Sequence, residues 1–229
     1  MNIEDFRAQL EEEYEWRNAE VRFFHNLCEG ISIDEEKKQF RRAIILLLYS
    51  HFEGYCKFAL SLYVSAINEH GLVCREANSA IIAASLHDVL SKLRDGDGKA
   101  AEFRNELPDD SKLHRFARDR EFIERTAEIM ERPVLIPDDI VNTGSNLKPV
   151  VLRKNLYRLG LPHDQFSALD SSINKLLELR NKIAHGETRA GIDQRLYESL
   201  RECATRIMTG ITSGLTTAFE EKWFLAAQE

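Results

Sequence analysis

The segment RNKIAHG, residues 180–186, places an Arg, an Asn and a His close to the end of a predicted helix. Arg180 and His185 are five residues apart, about 140° around a helix axis, so the long Arg side chain must curve to approach the imidazole. Asn181 and His185 are four residues apart and share a helix face. An Arg and a His in this arrangement can hold a phosphate between them.

Arg and His together supply what metal-independent RNA cleavage requires. Histidine takes up and releases protons near neutral pH, and Arg binds a phosphate through two hydrogen bonds and stabilises the charge that develops on it. The ribose 2′-OH attacks the adjacent phosphate and the 5′-oxygen leaves, so the substrate provides the nucleophile. One Arg and one His provide too few groups for both proton transfers. This favours a site shared by two copies of the chain.

Other enzymatic signatures are missing from the sequence. It contains no GxGxxG, Walker, GxSxG or HExxH motif and no pair of closely spaced cysteines. An Arg and a His at fixed spacing also recur by chance in unrelated chains, so the spacing alone does not define an enzyme. We expect neither a metal site nor a cofactor.

The helix that carries this segment is predicted over residues 170–187, with one apolar face. Gly186 is placed to end it. The residues of the apolar face are Leu169, Ile173, Leu176, Leu177 and Ile183.

The same apolar spacing predicts long helices over residues 2–29, about 34–70 and about 193–226. Asn2 and Asp193 are N-cap residues of the first and last of these. The first helix outreaches a small core, so it either packs along a second subunit or lies at the edge of a monomer. The second is the most apolar and is expected to be the central buried helix.

The second helix is predicted to begin with a capping box formed by Ser32 and Glu35. In its middle, His51, Glu53 and Gly54 interrupt an apolar run, at a cost in stability. Two interpretations stay open: a buried polar pair satisfied by nearby backbone, with Gly54 at a close helix crossing, or a supporting role for His51 and Glu53 behind the Arg/His site.

Shorter elements are predicted between residues 73 and 159. They are a helix over 73–93, two charged helical pieces within 99–132 and an irregular connector or minor strand over about 133–145. The connector is followed by a helix to about Leu159, which Gly160 ends. The whole chain is thus expected to be an all-α single domain, 1–229, with a possible helical insertion at about 95–140.

Basic residues concentrate at 148–189, which makes this region the best candidate for contact with RNA phosphates. A solvated helix face is the alternative interpretation. The candidate RNA-binding residues are Lys148, Arg153, Lys154, Arg158 and Lys182.

Composition limits the possible functions. The net charge of −7 argues against a general DNA-coating protein, so we expect no DNA as a partner. The four cysteines are far apart, the first residues are acidic and the longest apolar run, 43–48, is too short for a bilayer. We therefore expect a cytoplasmic protein with no membrane association.

The motif from Arg180 to His185 resembles the RNxxxH motif of the HEPN ribonuclease superfamily, all-α proteins of toxin–antitoxin, anti-phage and RNA-processing systems. Further segments are similar to the MAE-type HEPN-like nucleases of bacteria, and the resemblance to that branch extends over nearly the whole chain. These segments are LYSHFEGY at 48–55, SNLK at 145–148, VLR at 151–153 and LGL at 159–161.

The resemblance implies an HEPN-like helical bundle that forms a homodimer with a composite cleft. By this analogy Arg180 and His185 are catalytic, Asn181 orients them or contacts RNA, and cleavage without metal leaves a 2′,3′-cyclic phosphate. A neutralising or sensor protein encoded nearby is the expected partner. Glu187 stands where HEPN proteins paired with nucleotidyltransferases carry Tyr, so control by AMP transfer to that position is not implied.

Two other functions are compatible with the sequence. The first is a non-catalytic HEPN-fold subunit, which binds a nucleotide or serves as an adaptor or antitoxin in a defence complex. A plain helical bundle with an exposed Arg and His is the other interpretation, and it requires the three separated matches to be coincidence.

Overall fold

The computed structural model describes residues 1–95, 97–99, 110–144 and 146–227, and within them the fold is all-α, as predicted. No strand occurs in these ranges, and two isolated bridges join Val73 to Pro133 and Ala77 to Leu225. The helices are α1 (Ile3–Glu29), α2 (Asp34–Glu69), α3 (Ser79–Ser85), α4 (His87–Arg94), α5 (Ser111–Glu124), α6 (Thr126–Met130), α7 (Pro149–Arg158), α8 (Asp170–Ala184) and α9 (Gln194–Glu220). Short 3-10 turns lie at Cys74–Glu76, Asp138–Ile140 and Ser167–Leu169.

Helix α2 is the central buried helix, which confirms its prediction. It packs against α1, α8 and α9 and buries side chains over most of its length. Aromatic contacts fill the layer between α1 and α9, where the rings of Phe6 and Phe219 lie 4.6 Å apart. The hydroxyls of Tyr55 and Thr212 are 2.5 Å apart and join α2 to α9.

The predicted caps of the first and last helices are confirmed. Asn2 Oδ1 accepts a hydrogen bond from the Asp5 N–H, and Asp193 Oδ1 accepts one from the Leu196 N–H. The predicted capping box of α2 is wrong, because Ile33 is the N-cap residue and makes no side-chain cap hydrogen bond.

The last helix ends at Glu220 rather than near residue 226. Lys222 adopts a left-handed conformation with φ 54°, which turns the chain back toward α3. Phe224 is then buried and its carbonyl accepts a hydrogen bond from the Asn78 N–H. Burial of the Phe224 ring is thus favoured over continuation of α9. The spacing of apolar residues alone did not indicate this.

The helix predicted over 73–93 is divided into two helices, α3 and α4. Asn78 caps α3 by accepting from the Ile81 N–H, so the helix cannot extend back to residue 73. Leu86, with φ −91° and ψ 18°, separates α3 from α4. Asp110 caps α5, which lies in the charged region predicted over 99–132, and residues 100–109 lie outside the described residues.

The irregular connector is confirmed over residues 133–144, whereas its last predicted residue, Ser145, lies outside the described residues. The Val134 N–H donates to the Leu72 carbonyl, which ties the connector to the segment just after α2. Helix α7 begins at Pro149 with Lys148 as N-cap, and Gly160, with φ 69°, ends it as predicted. The single domain and the helical insertion at about 95–140 stay predictions.

The four cysteines are buried and form no disulfide. Within the described ranges, every helix is too short or too polar to cross a membrane.

Candidate active site

Helix α8 ends in a Schellman motif, with hydrogen bonds that fix the position of His185. The Glu187 N–H donates to the Lys182 carbonyl at 2.8 Å, and the Gly186 N–H donates to the Ile183 carbonyl at 3.1 Å. Gly186 has φ 71°, the left-handed conformation that this motif requires. His185 is therefore the exposed C-cap residue, and the prediction that Gly186 ends the helix is confirmed.

Arg180 is half-buried and held by three groups of the protein. Its guanidinium lies over the ring of Tyr49, with the central carbon 4.8 Å from the ring centroid. Nη1 donates to Asn181 Oδ1 at 2.8 Å and to Asn146 Oδ1 at 3.5 Å. Parts of α2, α8 and the residues just before α7 thus meet at this guanidinium.

Tyr49 is the site neighbour that the sequence reasoning did not identify. Its side chain is 1% exposed, and its hydroxyl accepts a hydrogen bond from the Leu147 N–H at 2.8 Å. Burial raises the pKa of Tyr49 to about 12, with a further contribution from the nearby Glu53 carboxylate. Its place among the apolar residues of α2 was the available signal, since a buried hydroxyl needs a partner.

The structure does not bring the side chains of Arg180 and His185 together. No hydrogen bond joins them, and Asn181, which shares a face with His185, directs its side-chain oxygen to Arg180 instead. Five residues of helix separate the Cα atoms of Arg180 and His185 by about 9 Å.

His51 and Glu53 lie on different sides of α2, because residues two apart are about 200° apart around the axis. Glu53 is close to Tyr49 and so borders the Arg180 environment. His51 faces α1, where its Nδ1 accepts from Arg17 at 3.4 Å and its Nε2 lies 2.6 Å from a Glu20 oxygen. A supporting role stays a prediction for both, and His51 has no contact with Arg180.

Gly54 allows the Arg17 side chain to approach α2. A Cβ atom at Gly54 would lie 2.8 Å from Arg17 Nη1. The partners of His51 are thus side chains of α1 rather than neighbouring backbone, and Gly54 lies where α1 and α2 come close together.

Helices α7 and α8 run antiparallel, since Asn146 contacts Arg180 at the end of α8 while Arg153 forms an ion pair with Asp170 at its start. Lys148, at the beginning of α7, is therefore the candidate RNA-binding residue of α7 nearest the Arg180 environment. It is exposed.

The other candidate RNA-binding residues have different environments. Arg153 is compensated by acidic partners, Arg158 donates to the Ile140 carbonyl at 3.2 Å, and Lys182 pairs with Glu178 at 2.6 Å. Lys154 is exposed and forms no ion pair with a described residue. The charge that can contact a ligand is therefore smaller than the number of basic residues suggests.

Within the described ranges, no group of three or more His, Cys, Asp or Glu side chains is arranged to hold a metal ion. The Arg, Asn and His at the end of α8 make up the candidate site.

An all-α fold around a buried α2, with an RNxxxH sequence at the exposed end of a packed helix, is the organisation of an HEPN-like protein. The chain belongs to the RiboL-PSP-HEPN family, whose model matches residues 12–216. The match runs from α1 into α9 and includes Tyr49 as well as the whole of α8. Comparisons with curated proteins and with solved structures returned no match.

Proposed function

We propose that the protein is a metal-independent endoribonuclease and that it acts as a toxin or anti-phage effector in the cytoplasm. The observation that carries this proposal is the end of α8, where Arg180 is oriented by Tyr49 and Asn181 while His185 is exposed at the cap. Membership of an HEPN family supports it. The finer assignment to the MAE-type branch is part of the proposal.

In the proposed reaction, Arg180 binds the scissile phosphate and His185 transfers a proton. The 2′-hydroxyl gives its proton to a His185 imidazole as the bond from O2′ to phosphorus forms. The bond from phosphorus to O5′ then breaks, the 5′-oxygen takes a proton from an imidazolium, and a 2′,3′-cyclic phosphate results. Asn181 holds the guanidinium in place.

A homodimer would supply the second imidazole for this reaction. One residue cannot accept a proton and donate another in a single concerted step, so two copies of His185 facing each other satisfy the chemistry. A protein encoded nearby would restrain the activity.

A non-catalytic adaptor or antitoxin subunit is the second candidate function. The observation that favours it is an exposed apolar face on α1, where Trp16, Phe23 and Leu27 are 47–58% exposed at helical spacing. Under this function, Arg180→Ala and His185→Ala would leave complex formation intact, whereas Phe23→Glu would break it.

The deciding experiment is cleavage of single-stranded RNA in EDTA by full-length wild type, Arg180→Ala and His185→Ala. We expect both variants to lose at least about 100-fold in rate, because each removes a group used in the transition state. His87→Ala, which changes an exposed His on α4, is the matched control and should cleave like the wild type. Equal cleavage by His185→Ala and wild type would overturn the proposal.

A further inference from the structure

A cavity of about 710 Å³ lies between α2 and the connector that precedes α7. Its volume is within the range of sites that bind small organic groups, about 300–1,000 Å³. Its polar lining includes Lys57 and Ser61 of α2 and Asp138, Asp139 and Asn142 of the connector.

The cavity lies further along α2 from the Arg180 contact. Tyr49, Glu53, Lys57 and Ser61 follow one another at intervals of four residues, so each side chain is a neighbour of the next, about 40° further around the helix axis. Eight residues separate Tyr49 from Lys57, a rise of about 12 Å.

The connector also joins the cavity to the candidate active site. Thr143 lines the cavity, and its carbonyl accepts a hydrogen bond from the Asn146 N–H at 3.0 Å. Asn146 in turn accepts from Arg180. One short stretch of chain therefore forms a wall of the cavity and contacts the guanidinium that we assign to the scissile phosphate.

The charged groups of the cavity are available to a ligand. Lys57, Asp138 and Asp139 are exposed, and none of them forms an ion pair or a side-chain hydrogen bond with a described residue. The site thus offers one cation and two carboxylates side by side. A ligand with a phosphate and hydrogen-bond donors matches this combination.

We propose, building on the endoribonuclease function, that this cavity binds the nucleotide next to the scissile phosphate and selects bases that carry an exocyclic amino group. Lys57 contacts the phosphate of that nucleotide. Asp138 and Asp139 accept hydrogen bonds from the amino group of adenine, cytosine or guanine on the base edge that is open in a single strand. Uracil has no exocyclic amino group and offers the two carboxylates only its single N3–H, so it is disfavoured.

Cleavage of uridine oligonucleotides that contain one central A, C or G tests the selection. Wild type should cut beside the amino-bearing base about tenfold or more faster than it cuts the all-uridine strand. The double variant Asp138→Asn, Asp139→Asn should reduce this ratio toward one, because an amide no longer offers two acceptor oxygens. Asp119→Asn, which changes an exposed carboxylate on α5, should leave the ratio and the rate unchanged.

Binding of the same oligonucleotides to full-length His185→Ala, measured by fluorescence anisotropy, tests the cavity without cleavage. The affinity ratio between amino-bearing and all-uridine strands should also fall in the double Asp variant. Cleavage without base preference, or a preference that the double variant leaves unchanged, overturns the cavity assignment and leaves the endoribonuclease function standing.

The remaining outcomes separate the two proposals. If wild type cuts no RNA but binding is base-selective and falls in the double Asp variant, the endoribonuclease function fails and the nucleotide cavity stands. If neither cleavage nor base-selective binding is found, the endoribonuclease function and the nucleotide cavity are both overturned.

Discussion

The guanidinium of Arg180 lies on the ring of Tyr49, 4.8 Å from its centroid, although the two residues belong to different helices and are far apart in sequence. The hydroxyl of Tyr49 accepts from the Leu147 N–H at 2.8 Å. One buried side chain of α2 therefore positions both the Arg of the candidate site and the chain segment that precedes α7.

Substitutions of Tyr49 should separate these two contacts. Tyr49→Phe keeps the ring but leaves the Leu147 N–H without its partner, so the free energy of unfolding in urea should fall by about 1–3 kcal/mol. Tyr49→Leu also removes the ring beneath Arg180, and RNA cleavage should fall about tenfold or more below that of Tyr49→Phe. Cleavage is compared at a pH and a temperature at which both variants are folded. Equal rates for the two variants would show that the ring does not position Arg180.

Gly186→Ala should destabilise the protein through backbone strain. No atom lies within 4 Å of a Cβ built at Gly186, so the cost comes from its left-handed φ of 71°, about 1–2 kcal/mol. RNA cleavage should fall as well, since the Schellman motif fixes His185. Urea unfolding and cleavage rates measure the two effects.

Gly214→Ala is the matched control for Gly186→Ala. It also has open space around a built Cβ, but it lies inside α9 with helical geometry. The change to Ala there should raise the free energy of unfolding by about 0.5–1 kcal/mol. If both variants are stabilised, the strain argument for Gly186 is wrong.

Periodicity predicted the long helices because each has one face or most of its surface against the core. α1, α2 and α9 repeat apolar residues over many turns, and local caps such as Asn2 mark their starts. Short elements were less predictable, since α3 and α4 are set by the Asn78 cap and by Leu86 between them. Their apolar pattern alone is that of one helix.

The candidate site was predictable only where local sequence determines it. Gly186 and the residues before it define the helix end, and this was visible in RNKIAHG. The contact between Tyr49 and Arg180 depends on how α8 packs on α2, which no local pattern encodes. His51 shows the same limit, because its position in a mixed apolar run did not indicate that it faces α1.

Stability should depend on pH through His51. Burial lowers the pKa of His51, the charge of Arg17 adds to this effect, and Glu20 and Glu13 oppose it. The folded state thus favours the neutral ring, whereas the unfolded chain protonates below about pH 6.5. The free energy of unfolding should therefore fall as the pH drops from about 6.5 toward the lowered pKa of the folded state, and this contribution should then level off.

His51→Gln tests this dependence in urea unfolding at several pH values. The variant should show a smaller decrease between about pH 7 and about pH 5 than the wild type. His25, whose pKa is also lowered by burial, should contribute in the same direction, so His25→Gln should reduce the decrease separately. His87→Gln serves as the exposed control. A decrease of the same size in His51→Gln and wild type would contradict the assignment.

Lys148 and Lys182 should differ in their contribution to RNA binding, although both are exposed and both are near the candidate site. Lys148 forms no ion pair with a described residue, whereas Lys182 pairs with Glu178 at 2.6 Å and that carboxylate raises its pKa. A free ammonium releases a counterion from RNA when it binds a phosphate, at a salt slope of about 0.7 per contact for single strands.

Binding of a fluorescent single-stranded oligonucleotide to His185→Ala, measured over a range of salt concentrations, distinguishes the two lysines. Adding Lys148→Gln should lower the slope by about 0.7, and adding Lys182→Gln should lower it less, because Glu178 already compensates that charge. Lys112→Gln, at an exposed position of α5, is the control and should leave the slope unchanged. If Lys148→Gln behaves like Lys112→Gln, the start of α7 does not contact the RNA backbone.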